Sequence, residues 1–121
     1  MGTFHIPVEI GDTRGERWET VEALVDTGAS YSWIPADILS RLGVLPSFRR
    51  EFATADGRVI EREMAETFAR YDGEQHNTLV VVGDEGSMAL LGAYTLEGFG
   101  LAADPVNRRL IPVRGLAMAA P

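Results

Sequence analysis

The stretch VDTGASYSWIP, Val25 to Pro35, brings an apolar run to an abrupt stop at Asp26 and returns to apolar residues by Trp33. An acid delivered by a buried strand into a Thr-Gly turn is held rigidly. Gly28 lets the backbone fold tightly and turn N–H groups toward the carboxylate, so both the position and the ionisation of Asp26 come under control. Thr27 adds a hydroxyl that can tie the turn to a neighbouring backbone, and Ala29 leaves room for another chain to approach. A bare Asp-x-Gly is most often an ordinary strand-end turn, so its surroundings decide the reading.

Working outward, TFHIPVEI alternates Phe4, Ile6, Val8 and Ile10 against polar positions, the period of a half-buried strand. Pro7 marks an edge. After the turn GDTRGE, the run RWETVEALV leads into Asp26, which predicts a hairpin. PADILSRLG predicts one short helix with Pro35 at its first position, Asp37 in the first turn and Gly43 at its end. In FATADGRVIERE, Asp56-Gly57 between two extendable segments signals a second hairpin, whose second arm, carrying Ile60, Met64 and Phe68, is read as a strand. TLVVVGDEGSMALLG supplies two further apolar runs, and GLAADPVNRRLIPV two short strands around Asp104-Pro105. Many short strands with only two brief helical stretches imply an all-β closed or sandwiched architecture. No repeat or linker divides residues 1–121, which are read as a single domain. The closing GLAMAAP is either a frayed end or a strand that needs a partner.

Composition excludes several chemistries. The 121 residues contain no cysteine and no lysine, so thiol nucleophiles, zinc–thiolate clusters and Schiff bases are ruled out. A net charge of -7 argues against nucleic acid as a partner. No apolar run approaches the roughly 20 residues of a membrane span. The expectation is a soluble, cytoplasmic protein that engages neither membrane nor nucleic acid. His5 and His76 stand too far apart, and too poor in acidic company, to suggest a metal, and no cofactor is expected.

With Asp26-Thr27-Gly28-Ala29-Ser30 flanked by ALV and YSWIP, the chain resembles the retropepsin-like aspartic proteases. A second signature of that group, two apolar residues before a glycine and a short helix, is matched by MALLGAYTLEGFG with Leu90, Leu91 and Gly92. The resemblance runs in layout from Phe4 to Val113. It implies a closed, barrel-like all-β domain with one or two short helices, in which Leu90, Leu91 and Gly92 brace the acid-bearing loop from behind. It also implies a flap hairpin at FATADGRVI, whose tip residues Ala55, Asp56, Gly57 and Arg58 close over an extended peptide beside Ala29 and Ser30. Trp18 and Trp33 are read as core rather than as substrate-stacking residues.

Peptide hydrolysis by this route needs two carboxylates sharing a proton, one acting as base toward a water and the other polarising the carbonyl. The chain holds one Asp-Thr-Gly. Asp12-Thr13 begins like a second, but Arg14 stands where glycine is needed, and Asp84 and Asp104 read as solvated turn residues. The resemblance therefore implies a homodimer in which each copy supplies Asp26, oriented by Thr27 and Gly28, to hydrolyse a peptide or protein substrate. The ion pair that commonly supports retroviral dimers is missing, since its places hold Ser30 and Ala93. The other reading is a catalytically silent domain of the same fold that binds peptides or dimerises partners.

Overall fold

The computed structural model describes residues 3–115, so all of the closing segment after Gly115 lies outside the described residues. The first hairpin joins β1 (His5–Gly11) to β2 (Trp18–Val25) in antiparallel register, with His5 opposite Leu24 and Gly11 opposite Trp18. Its turn is organised by Asp12, whose Oδ1 accepts the backbone N–H groups of Arg14 (3.2 Å) and Glu16 (2.8 Å). These bonds hold the Asp12 carboxyl below the usual range, the Glu16 N–H contributing most. Asp12 is thus a turn builder. Trp18 lies half-buried over that turn, its Nε1 donating to the Gly15 carbonyl at 3.0 Å and the Arg70 guanidinium 4.0 Å from its ring.

After the Asp26 loop come β3 (Ser32–Pro35) and the helix α1 (Ala36–Arg41). Pro35 is not the first helical residue. It caps the helix with ψ 141°, because it is still paired as a strand residue opposite Gly83. The second expected hairpin is β4 (Phe48–Ala53) with β5 (Val59–Tyr71), so the arm carrying Ile60, Met64 and Phe68 is extended. A third hairpin that the sequence reading passed over joins β5 to β6 (Glu74–Gly83) through Asp72-Gly73. Both turn residues have positive φ, 49° and 82°, as a two-residue hairpin turn requires. Then follow β7 (Ala89–Leu91), α2 (Ala93–Phe99) and the hairpin of β8 (Leu101–Asp104) with β9 (Arg109–Pro112).

The main sheet runs β1-β2-β7-β3-β6-β5-β4, and a further pairing of β1 with β5 closes six of these strands into a barrel. At the closure Glu9 stands opposite Arg70, whose guanidinium grips its carboxylate with two bonds of 2.9 and 2.8 Å. Pro7 falls before the stretch that pairs with β5, where a missing N–H costs no ladder bond. The alternating residues Phe4, Ile6, Val8 and Ile10 meet Val21, Ala23, Val25, Ile34, Ala65, Val80 and Leu91 inside the barrel. β7 is the strand that matters for the site. It is parallel to β2 and antiparallel to β3, lying between the strand that enters the Asp26 loop and the strand that leaves it.

Candidate active site

The Asp26 loop is fastened to β7 and α2 by backbone bonds. Asp26 N donates to the Leu91 carbonyl (3.0 Å), Ala93 N to the Ala29 carbonyl (2.9 Å) and Tyr94 N to the Ser30 carbonyl (2.9 Å). Within the loop, Ala29 N donates to the Asp26 carbonyl at 3.1 Å and Gly28 N to the Asp26 carboxylate Oδ1 at 3.0 Å. Those bonds fix the carboxylate's direction while leaving Asp26 half-buried and Thr27 and Gly28 exposed. Gly92 is where the loop presses closest. A Cβ there would stand 2.4 Å from the Tyr31 carbonyl oxygen and 2.9 Å from that of Ala29. Gly92 is buried with an ordinary extended φ of -102°, so space rather than backbone conformation demands glycine here.

Behind the loop lies a buried hydroxyl cluster that the sequence reading missed. Thr95 Oγ1 lies 2.7 Å from Ser32 Oγ and 2.8 Å from Thr78 Oγ1, and Ser32 Oγ in turn accepts the Gly92 N–H at 3.0 Å. The three side chains come from β3, β6 and α2, so strand, barrel wall and helix are tied together directly beneath the loop. The only trace in the sequence is a small hydroxyl residue at the inward phase of each element, a weak signal without the tertiary pairing.

Leu90 and Leu91 stand opposite Leu24 and Val25 on β7, and Leu90 also faces Trp33. The tip residues Ala55, Asp56, Gly57 and Arg58 are all exposed at the end of the β4–β5 hairpin. Thr54 N donates to the Arg58 carbonyl at 2.8 Å, and Asp56 accepts the Thr54 hydroxyl and pairs with Arg58 at 2.9 Å, which together hold the Asp56 carboxyl below its usual range. The hairpin meets the Asp26 side through Phe52, whose ring centroid lies 6.1 Å from Tyr31 and 5.9 Å from Trp33. Trp33 is therefore half-buried in an aromatic cluster at the site's edge, not enclosed in the core. Tyr94 extends the cluster at 5.5 Å from Tyr31.

On its other side, Asp26 opens onto a hollow of about 840 Å³, bounded by Asp26, Thr27 and Gly28 together with apolar walls that include Phe4, Leu96 and Leu101. None of Ala55 to Arg58 lines it. Asp12, Asp84 and Asp104 do not line it either. Asp104 is engaged by Asn107 and Arg109, and the Asp84 carbonyl accepts from Ser87. His76 pairs with Glu74, and among the described residues no group of three His, Asp or Glu side chains could hold a metal.

The profile of a family described as aspartyl protease matches residues 6–95. Solved structures with a similar fold include EIAV protease complexed with the inhibitor HBY-793, at 24% identity and TM-score 0.56 over 79% of this chain and 86% of that one. Another is a retropepsin-like aspartic protease from Rickettsia conorii, at 25% identity and TM-score 0.53 over 84% of each chain. A third is the retroviral protease-like domain of Ddi1 from Leishmania major, at 20% identity and TM-score 0.58 over 93% of this chain and 89% of that one. No curated protein matches the chain.

Proposed function

Since the chain belongs to the aspartyl protease family and has the all-β retropepsin-like fold, we propose that it is an aspartic endopeptidase whose active site forms where two copies bring their Asp26 residues together. The observation that carries this reading is the fastening of the Asp26 loop. A carboxylate that only capped a turn would need the Gly28 N–H alone, whereas this loop is held from β7 and α2 by three further backbone bonds and by a glycine with no room for a methyl group.

Two like carboxylates at close range cannot both ionise, so one retains a proton at mild acidity. The ionised Asp26 takes a proton from the attacking water as the water oxygen bonds to the scissile carbonyl carbon. The protonated Asp26 donates to the carbonyl oxygen. On collapse the C–N bond breaks as the Asp26 that took the water's proton passes it to the leaving amine, and the other Asp26 recovers a proton from the hydroxyl that becomes the new carbonyl. The Gly28 N–H keeps each carboxylate in plane. A partner copy has room to approach at the hollow beside Asp26, where the exposed loop crest adjoins apolar walls. An isologous pair places equivalent loops at a two-fold axis.

The test is incubation of the purified chain with a denatured protein mixture at mildly acidic pH, with the products identified by mass spectrometry. New termini are expected from the parent and none from Asp26→Asn, while the variant unfolds at a similar temperature. Equal cleavage by the variant would remove Asp26 from catalysis. An intact mixture together with a stable dimer would leave the domain as a non-cleaving dimerisation module.

A further inference from the structure

The β4–β5 hairpin separates its charges by face. Arg49, Glu51, Glu61 and Glu63 are all exposed on the outer face, where Arg49 bonds Glu61 at 2.7 Å and approaches Glu63 at 4.0 Å. The opposite face carries Phe48, Arg50 and Phe52 on β4 against Met64, Arg62 and Ile60 on β5. Arg50 and Arg62 are thus direct cross-strand partners. Like charges so placed repel, and among the described residues neither arginine has a carboxylate partner, in a chain with 18 acidic and 11 basic side chains. The Arg62 Nε is buried with no hydrogen-bond partner, and its Nη1 reaches only the Glu61 carbonyl at 3.3 Å.

Aromatic rings hold both guanidinium groups in place. Arg62 lies 6.0 Å from the Trp33 ring centroid, and Arg50 lies 5.9 Å from Tyr31 and 5.3 Å from Phe48. Tyr31 and Trp33 belong to the segment that leaves the Asp26 loop, and Phe52 joins them to the hairpin. Two cations flanked by aromatic rings, with unused donors, therefore stand on the hairpin face that packs against the segment leaving the Asp26 loop.

We propose that Arg50 and Arg62 form a carboxylate-binding subsite, so that the enzyme selects peptides bearing Asp or Glu near the cleaved bond. A substrate carboxylate would accept from the outer Nη groups of both guanidinium groups and relieve the cross-strand repulsion. The substrate's aliphatic stem would lie along Tyr31 and Phe52. This deepens the protease reading and rests on it for the cleavage measurement, but not for the binding measurement below.

The experiment uses the full chain and peptides matched except for Glu or Gln at each position within three residues of a cleaved bond. The parent is expected to favour one Glu peptide by about tenfold in kcat/KM, the scale of one charge-assisted hydrogen bond in a partly exposed site. In Arg62→Gln, and in Arg50→Gln with Arg62→Gln, that ratio should fall toward one, while Arg62→Lys, which keeps the charge and loses the fork, should give an intermediate ratio. Fluorescence anisotropy of labelled Glu and Gln peptides with Asp26→Asn measures the same preference without turnover. Equal handling of Glu and Gln in cleavage and in binding would overturn the subsite. Preferential binding of the Glu peptide with no cleavage by the parent would overturn the protease reading and leave the subsite standing.

Discussion

Gly92 and Gly98 sit six residues apart at and inside α2, and they should respond oppositely to the same methyl group. At Gly92 the added carbon meets backbone carbonyls of the Asp26 loop, which cannot swing aside as a flexible side chain would, whereas at Gly98 nothing lies within 4 Å. Gly92→Ala is expected to cost about 1–3 kcal/mol, the scale of overpacking, and to lower activity by displacing the loop. Gly98→Ala should be neutral or stabilising by up to about 1 kcal/mol, since alanine restricts the unfolded chain more. Denaturant melts of both variants check the pair. Ala29 makes the third residue-scale case, because its N–H donates to the Asp26 carbonyl at 3.1 Å, and a hydroxyl added to this turn that donated to the carboxylate would favour the ionised form. Ala29→Ser should therefore move the basic limb of the pH–rate profile to lower pH without abolishing activity, and an unmoved limb in a dimeric variant would show that the hydroxyl does not reach. Asp26 and Gly92 were legible in the sequence because each sits in a short local motif, Asp-Thr-Gly-Ala and Leu-Leu-Gly. Arg62 and Thr95 were not, since the meaning of each depends on partners supplied by other elements.

Among the elements, α2 and the β4–β5 hairpin are tied down by polar groups that titrate or pair differently. Thr95 is the hub of the buried hydroxyl cluster, bonded to both Ser32 and Thr78. Thr95→Val keeps the shape but leaves two buried hydroxyls short of a partner, an expected loss of about 1–3 kcal/mol. Chemical denaturation measures that loss, and a parallel fall in activity would mark the cluster as support for the loop. At the hairpin tip, Asp56 has a folded pKa lowered first by the Thr54 hydroxyl and then by Arg58. A lowered carboxylate pKa stabilises the fold above the unfolded value, near pH 4, and that contribution disappears as pH falls through the folded value. The tip should accordingly loosen below about pH 4. Hydrogen exchange at Gly57 N, corrected for its intrinsic rate, should accelerate there in the parent and show no such step in Asp56→Asn. Strand existence could be read from alternation, and the tip from Asp56-Gly57. Asp72-Gly73 is the same dipeptide and is legible by the same rule that reads Asp56-Gly57 as a turn.

For the molecule as a whole, the proposed shared site would tie activity to association, since each closed barrel carries a single Asp-Thr-Gly loop. Activity per chain should rise with protein concentration through the dimerisation range, and an active monomer by sedimentation would contradict the shared site. Each copy carries a net charge of -7, so bringing two together is opposed by long-range repulsion. Raising salt from about 0.01 to about 0.15 M shortens the screening length from roughly 30 to 8 Å and should tighten the dimer. Barrel closure itself was less legible than the hairpins, because the β1–β5 pairing and the parallel β2–β7 pairing join segments with no local signature.

The β2–β7 pairing also sets a schedule during synthesis. The acid is made early, but the carbonyl that receives the Asp26 N–H belongs to Leu91, 65 residues downstream (91 − 26), and Ala93 and Tyr94 emerge later still. A ribosome-bound chain that has exposed the first two hairpins still has a slack Asp26 turn, since the strand that must lie between β2 and β3 has not yet left the tunnel. On the proposed protease reading, the order of the strands delays assembly of the Asp26 loop until β7 and α2 have been synthesised.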